Sequence, residues 1–289
     1  NYMPELPEVE VVKKSLLSKV IKLKIKKVKV KNVNLRYKID KKSINSLKNK
    51  KIISIKRISK YLLINFSNDI TLISHLGMTG RFYIEEKKKI LKSSFYYNNL
   101  TKLRKHDHVV FIFNNRLKII YNDIRKFGFL IIAKTSKLKN YTSFIKLGPD
   151  PLKNKFNFKY FKEKSINKKI KIKDLLMNQS FVSGLGNIYV NEILFKSKIN
   201  PYFLANNLKD VDIKKIVKYT KNILLKAIKH GGSSIKDFHS FDGAKGHYQE
   251  KFYVYGKTGL QCSSKDCKAL ISKVVISQRA TFYCPNCQK

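Results

Sequence analysis

Apolar side chains at Val9, Val12, Leu16, Leu17 and Val20 recur three or four residues apart. That spacing lines one face of a helix, so a helix is expected to follow Pro7. From about residue 22 to 133 the pattern changes. Short β-branched or aromatic runs appear at Lys51–Ile58, Tyr61–Phe66, Ile70–Ser74, His108–Phe113, Leu117–Tyr121 and Phe129–Ala133, separated by Asn, Asp, Gly or Lys clusters. Several short strands at such intervals predict a β-sandwich or barrel-like domain. Lys134–Tyr141 is polar and reads as a linker that closes at Gly148-Pro149-Asp150-Pro151. Beyond Phe158 the period is helical again. Helices are expected at Ile170–Asn178, Ile188–Lys198 and Asp212–His230, with a loop over Phe238–His247 and short strands in the tail from Phe252 to Gln288. The expected class is α+β. Its divisions are a β-sandwich domain with an N-terminal helix over 1–134, a hinge over 135–151, a helical domain over 152–250 and a cysteine-bearing β-hairpin over 251–289.

Charge changes this picture most. The 289 residues carry a formal net charge of +43 and are 43% hydrophobic, enough for real cores. A polyanion, nucleic acid first, is the expected partner. Only seven of the 62 basic residues are arginine, and a chain so rich in Lys, Ile and Asn carries some of its charge as compositional drift. Each arginine is therefore informative, because its planar fork binds phosphate or base edges as lysine cannot. No run of 18 apolar residues exists and no charged-then-apolar leader is visible, so neither a membrane span nor a secretory signal is expected.

All four cysteines fall in the last 28 residues. Cys262 and Cys267 have four residues between them, Cys284 and Cys287 have two, and sixteen separate the pairs. Two close pairs held apart by a hairpin-length segment suit a tetrahedral four-cysteine zinc site. Four thiolates leave no open position, so one structural Zn2+ is expected. Between the pairs, Ile271–Tyr283 reads as strand, turn, strand, with Arg279 at the turn. Arg279 there is a phosphate probe or a solvated surface residue.

Four further stretches carry candidate chemistry. Met3-Pro4-Glu5-Leu6-Pro7-Glu8-Val9-Glu10 is an ordinary acidic helix start unless Pro4 becomes the N-terminus. Its nitrogen is then a secondary amine titrating near 8, able to form an iminium with a sugar aldehyde carbon. Ser183-Gly184-Leu185-Gly186-Asn187 joins two helices; Asn187 is placed to cap the second, whose amides can face a phosphate. His75–Gly80 presents Met78 between glycines, and Asp123–Gly128 presents Arg125 and Phe127. Met78 and Phe127 fit ordinary core packing, and equally a wedge entering a base stack after a nucleotide is flipped out.

Together, Pro4–Glu10, His75–Gly80, Arg125–Gly128, Gly186-Asn187-Ile188-Tyr189 and the cysteine tail resemble the formamidopyrimidine-DNA glycosylase family of bacterial base-excision repair enzymes. The resemblance runs from Pro4 to Gln288. It implies a helix–two-turn–helix domain and a zinc finger at the C-terminal end, acting on double-stranded DNA that contains oxidised bases or abasic sites. It also implies roles. Pro4 resembles the Schiff-base nucleophile, Glu5 the general acid/base, Glu8 the helix glutamate behind it, and Lys60 the lysine that holds a phosphate near the lesion. Met78, Arg125 and Phe127 match the void-filling set. Asn187 and Arg279 resemble phosphate contacts, Arg279 serving the catalytic complex as well. Loop Phe238–His247 lies where the family closes over the flipped base. Two departures stand out: Asn1-Tyr2-Met3 precede the expected start, so translation from Met3 is expected, and the first cysteine pair is spaced by four rather than two. A monomer in the bacterial cytoplasm is expected. An endonuclease VIII-like enzyme for oxidised pyrimidines and a non-catalytic zinc-ribbon DNA-binding protein are the alternatives.

Overall fold

A computed structural model describes residues 3–86, 89–91, 104–233 and 248–289. The chain folds as two compact units, one from residues 1–145 with 230–249, the other from 146–229 with 250–289. The expected loop at Phe238–His247 lies outside the described residues.

The first unit opens with α1 (Leu6–Val20) and continues through β1 (Ile25–Val30), α2 (Lys41–Asn45), β2 (Ile52–Ile58), β3 (Tyr61–Phe66), β4 (Ile70–His75), β5 (Arg81–Glu86), β6 (Lys89–Leu91), β7 (Asp107–Phe113), β8 (Lys118–Asn122), β9 (Phe129–Lys134) and α3 (Thr142–Ile145). The strands form two antiparallel sheets, ordered β1-β7-β8-β5-β6 and β2-β3-β4-β9. Val9, Val12, Leu16 and Val20 of α1 join Leu62, Ile64, Leu72, Phe82, Phe111 and Phe113 in one core. A fully buried Val, Leu or Phe side chain contributes about 1.5–3 kcal/mol each, so this face holds α1 against the sandwich.

The register carries function. Tyr61 pairs with His75, and His75 pairs with Phe129, so the β2–β3 turn, the end of β4 and the start of β9 share one end of one sheet. In the other sheet Arg81 pairs with Asn122. Residues 76–80 and 123–128 are therefore neighbouring crossovers between the two sheets, pinned by strand pairing at both ends.

The second unit carries α4 (Phe158–Ser165), α5 (Ile172–Met177), α6 (Asn187–Ser197) and α7 (Asp210–Lys229), then the hairpin β10 (Ser272–Ile276) and β11 (Arg279–Tyr283). The turn between α5 and α6 is closed by Gln179, whose amide donates to the Leu185 carbonyl at 2.8 Å and accepts from the Gly184 N–H at 2.8 Å. Gly184 sits at φ 92, where a side chain would be strained.

Candidate active site and metal centre

Glu5 is the N-cap of helix α1, and its N–H donates to Glu8 Oε2 at 2.9 Å. This is the reach-back half of a capping box, in which the third helical residue satisfies the N-cap amide. Pro7 is the second helical residue, a position that lacks an intrahelical acceptor for its N–H. The other oxygen of Glu8 accepts from the Ser233 N–H at 2.8 Å and its hydroxyl at 2.9 Å. Glu5 and Glu8 are buried, whereas Pro4 is half-buried and Met3 exposed. The Pro4 nitrogen thus stands where a rigid, carboxylate-lined helix start meets the surface.

Lys60 is only 6% exposed, unusual for a lysine, and sits in the two-residue turn between β2 and β3. Ser59 in that turn has φ 54, and its carbonyl accepts from Arg57 Nη1 at 3.0 Å. Arg57 Nε donates to Glu10 Oε2 at 2.8 Å. One guanidinium therefore ties the Lys60 turn to α1. Glu10, partly desolvated, is nonetheless held below the usual carboxylate range by Lys13 and Arg57.

His75 ends β4 beside this turn. Burial, then the charges of Lys60 and Arg36, lower its pKa to about 4. Its Nδ1 accepts from the Gly77 N–H at 3.0 Å, so the neutral ring carries its proton on Nε2 and can donate there. Tyr61, Phe129 and Tyr141 line a hollow around it with Arg36.

Met78 is half-buried on one crossover; Arg125 and Phe127 are exposed on the other, with the guanidinium 4.8 Å from the Phe127 ring. Both crossovers lean on two buried groups. Asp123 accepts from Thr79 Oγ1 at 2.5 Å and from the Gly128 N–H at 2.8 Å, and the Arg125 N–H donates to Thr79 Oγ1 at 2.9 Å. Tyr121, whose pKa is raised by burial and by Asp123, packs its hydroxyl against Gly80 and Gly128.

In the second unit, Asn187 corrects an expectation. Gly186 is the N-cap of α6, and Asn187 is its first residue. Its side-chain amide donates to the Ala280 carbonyl at 2.8 Å. Asn191 accepts from the Phe282 N–H at 2.8 Å, and Lys173 bonds Thr281 Oγ1. Arg279 is likewise not in the turn. It is the exposed first residue of β11, paired with Ile276, while Ser277 and Gln278 make the turn in left-handed conformations. Lys173 is fully buried; desolvation, then Asp174 opposing and Arg279 assisting, leave its pKa at about 8.

The four cysteine Sγ atoms lie within 4.8 Å of one another. Cys262 and Cys287 approach to 3.8 Å, and Cys267 and Cys284 to 3.7 Å. A tetrahedron with Zn–S bonds of ~2.3 Å has edges of roughly 3.8 Å, so the donor set fits zinc. The Cys287 N–H donates to Cys284 Sγ, and the Asn286 amide to Cys267 Sγ, as thiolate charge requires. The Asn286 amide and then the Ala269 N–H bring the Cys267 thiol down to about 6.

Family models match in chain order: the formamidopyrimidine-DNA glycosylase N-terminal domain over residues 3–130, its H2TH domain over 147–239, and a zinc finger found in FPG and IleRS over 265–289. The chain belongs to the formamidopyrimidine-DNA glycosylase family. A member from Rickettsia bellii is 43% identical over 287 residues, covering 99% of this chain and all of that one. One from Rickettsia felis is 41% identical over 286 residues, covering 99% of this chain and 98% of its own. Two solved Lactococcus lactis structures cover 99% of this chain. The Fpg with DNA containing an AP site has 34% identity, TM-score 0.83 and 99% of its own length covered. That with Fapy-dG DNA has 35% identity, TM-score 0.84 and its whole length covered. As a family member the chain is a DNA glycosylase and AP lyase for oxidised bases, with DNA as its partner and a structural zinc site in its finger. The match over the catalytic domain removes the non-catalytic zinc-ribbon alternative, and these full-length relatives do not favour the endonuclease VIII-like one.

Sequence reasoning missed Ser233, Arg57, Thr79, Asp123, Lys173 and Asn191. Arg57 alone had a usable signal, as one of seven arginines. The others act through long-range pairings that spacing does not encode.

Proposed function

We propose that Pro4, as a free N-terminal amine, attacks the C1′ of an oxidised purine nucleotide flipped from duplex DNA. The C1′–N bond forms as the glycosidic bond breaks, and the damaged base leaves with the electron pair and takes up the proton that the Pro4 nitrogen releases. Glu5 protonates the ring oxygen as the sugar opens, giving an iminium. The iminium draws electrons from the C2′–H bond, the 3′ phosphate leaves by β-elimination, and a second proton loss expels the 5′ phosphate by δ-elimination. Glu8 fixes the amine's approach by holding the Glu5 N–H and Ser233. Lys60 holds a phosphate beside the sugar. Met78, Arg125 and Phe127 fill the vacated stack, Arg125 bonding the orphaned opposite base, and Asn187 and Arg279 hold backbone phosphates. The enzyme acts as a monomer. When bound, zinc fixes the hairpin that presents Arg279 and takes no part in the bond changes.

The observation that carries this reading is the pairing of a nearly buried Lys60 with a buried carboxylate helix start, tied together by Arg57. Charged groups withdrawn from water and held together by a buried guanidinium mark a reactive site. Borohydride trapping tests it. The enzyme beginning at Pro4 forms a covalent adduct with duplex DNA holding 8-oxoguanine opposite cytosine, and Pro4→Gly does not. No adduct with the enzyme begun at Pro4 would sink the proposal. A faster adduct with oxidised-pyrimidine duplexes would shift it to the other branch of the superfamily.

A further inference from the structure

We propose that Thr79 and Asp123 lock crossovers 76–80 and 123–128 into a single wedge, so that Met78, Arg125 and Phe127 enter the base stack as one body. The proposal rests on the void-filling reading of those three residues and concerns how they are positioned.

Four observations converge. Thr79 Oγ1 donates to Asp123 Oδ1 and accepts the Arg125 N–H, so one hydroxyl links the Met78 loop to both a buried anchor and the backbone of Arg125. Asp123 is fully buried, and its other oxygen accepts the Gly128 N–H just beyond Phe127. His108 Nε2 lies 2.7 Å from the Asp123 carbonyl, which fixes the anchor from β7. Finally, the loop backbones touch. A Cβ on Gly77 would fall 2.5 Å from the Gly128 nitrogen and 2.5 Å from the Phe127 carbonyl carbon. A Cβ on Gly128 would fall 2.0 Å from the Tyr121 hydroxyl oxygen. The two loop backbones pack directly on each other, with no space for a side chain at Gly77 or Gly128.

A charge-assisted bond from Thr79 to a desolvated carboxylate is stronger than a neutral one. Neither loop needs to order on meeting DNA, which lowers the entropic cost of insertion. Thr79 and Asp123 are positioning residues: they act through Arg125 and Met78 and touch neither sugar nor base.

Thr79→Val keeps the volume and removes both hydrogen bonds; Thr79→Ser keeps the hydroxyl. Single-turnover release of 8-oxoguanine opposite cytosine and opposite adenine is measured for both, alongside Arg125→Ala. Adduct formation at an abasic site in a single strand, which has no stack to fill, is measured in parallel. Thr79→Val is expected to slow duplex release about tenfold and narrow the cytosine-to-adenine ratio. Single-strand trapping stays within about twofold of the parent. Thr79→Ser restores both duplex values. If Arg125→Ala narrows the ratio and Thr79→Val leaves it at the parent value, the lock is overturned and the wedge reading stands. If Arg125→Ala leaves the ratio unchanged, the wedge reading fails and the lock falls with it. Equal losses on duplex and single strand for Thr79→Val would mark a general fault of folding and also overturn the lock.

Discussion

At the residue scale, the burial of His75 sets a measurable pH dependence. Its folded pKa of about 4 lies below the ordinary 6.5, so between these values the unfolded chain binds the proton and the folded one does not. Stability is complete above about pH 6.5 and falls as pH drops towards 4, by up to roughly 3 kcal/mol. Urea unfolding at stepped pH is expected to show this loss in the parent and a shallower one in His75→Gln. Equal slopes would mean that the imidazole titrates alike in both states. The neutral ring leaves Nε2–H free to donate, so the shift prepares a donor beside Lys60 without adding a second positive charge there. Arg57 illustrates the same economy. Its planar fork reaches a carboxylate and a carbonyl from two separate nitrogens, a fixed geometry that lysine's single nitrogen does not supply.

At the element scale, Glu192 on α6 is the clearest test. It is buried, and its carboxylate accepts the N–H groups of Tyr253, Val254 and Tyr255 at 2.7, 3.0 and 2.9 Å. Desolvation raises its pKa and these three bonds oppose the rise. Glu192→Ala is expected to cost about 3 kcal/mol, because three amides lose their acceptor. Hydrogen exchange should locate the loss at 253–255, with Glu192→Gln intermediate. Unchanged protection there would show that water replaces the carboxylate at no cost. Elements differ in how far they were legible. The expected strands over 51–58, 61–66, 70–74, 108–113, 117–121 and 129–133 appear within a residue or two, since each is an apolar run with turn residues at both ends. β1 was not read: IKKVKV buries only Ile25 and Val28, and a register shift after Ile25 breaks the alternation. β5 was not read because Arg81 and Glu85 are buried with their apolar neighbours, hiding any period. In α4 only Phe161 and Ser165 are buried, too few for a stripe. The polar stretch Lys134–Tyr141 contains a 3-10 segment, Thr135–Asn140. The cysteine motif is legible because zinc chemistry demands fixed residue types at short spacing. Ser233 and Asp123 were not, because what makes them matter is a partner 225 or 44 residues away.

At the scale of the whole molecule, the +43 charge is the dominant long-range property. Among the described residues no helix is long and apolar enough to cross a membrane. Binding to duplex DNA is expected to weaken by orders of magnitude between ~50 and ~200 mM salt, as counterions released from several phosphates are paid back. Titration of one labelled duplex at four salt concentrations measures the slope. A flat line would mean that the lysines are surface drift. Sequence spacing located the cysteine quartet. It could not say that Glu8 in the first helix bonds Ser233, or that the hairpin beside the quartet is held by Asn187, Asn191 and Lys173.

The contact between Gly77 and Phe127-Gly128 has a consequence for anyone recombining members of this family. A chimera that imports residues 76–80 alone sets a foreign backbone against a native one with no clearance between them. The reverse exchange, 123–128 alone, meets the same obstacle. Moving both segments with position 121 transfers the fitted surfaces together. The two crossovers, some forty residues apart in the chain, are therefore one unit of exchange, and libraries that vary them independently will consist largely of inactive members.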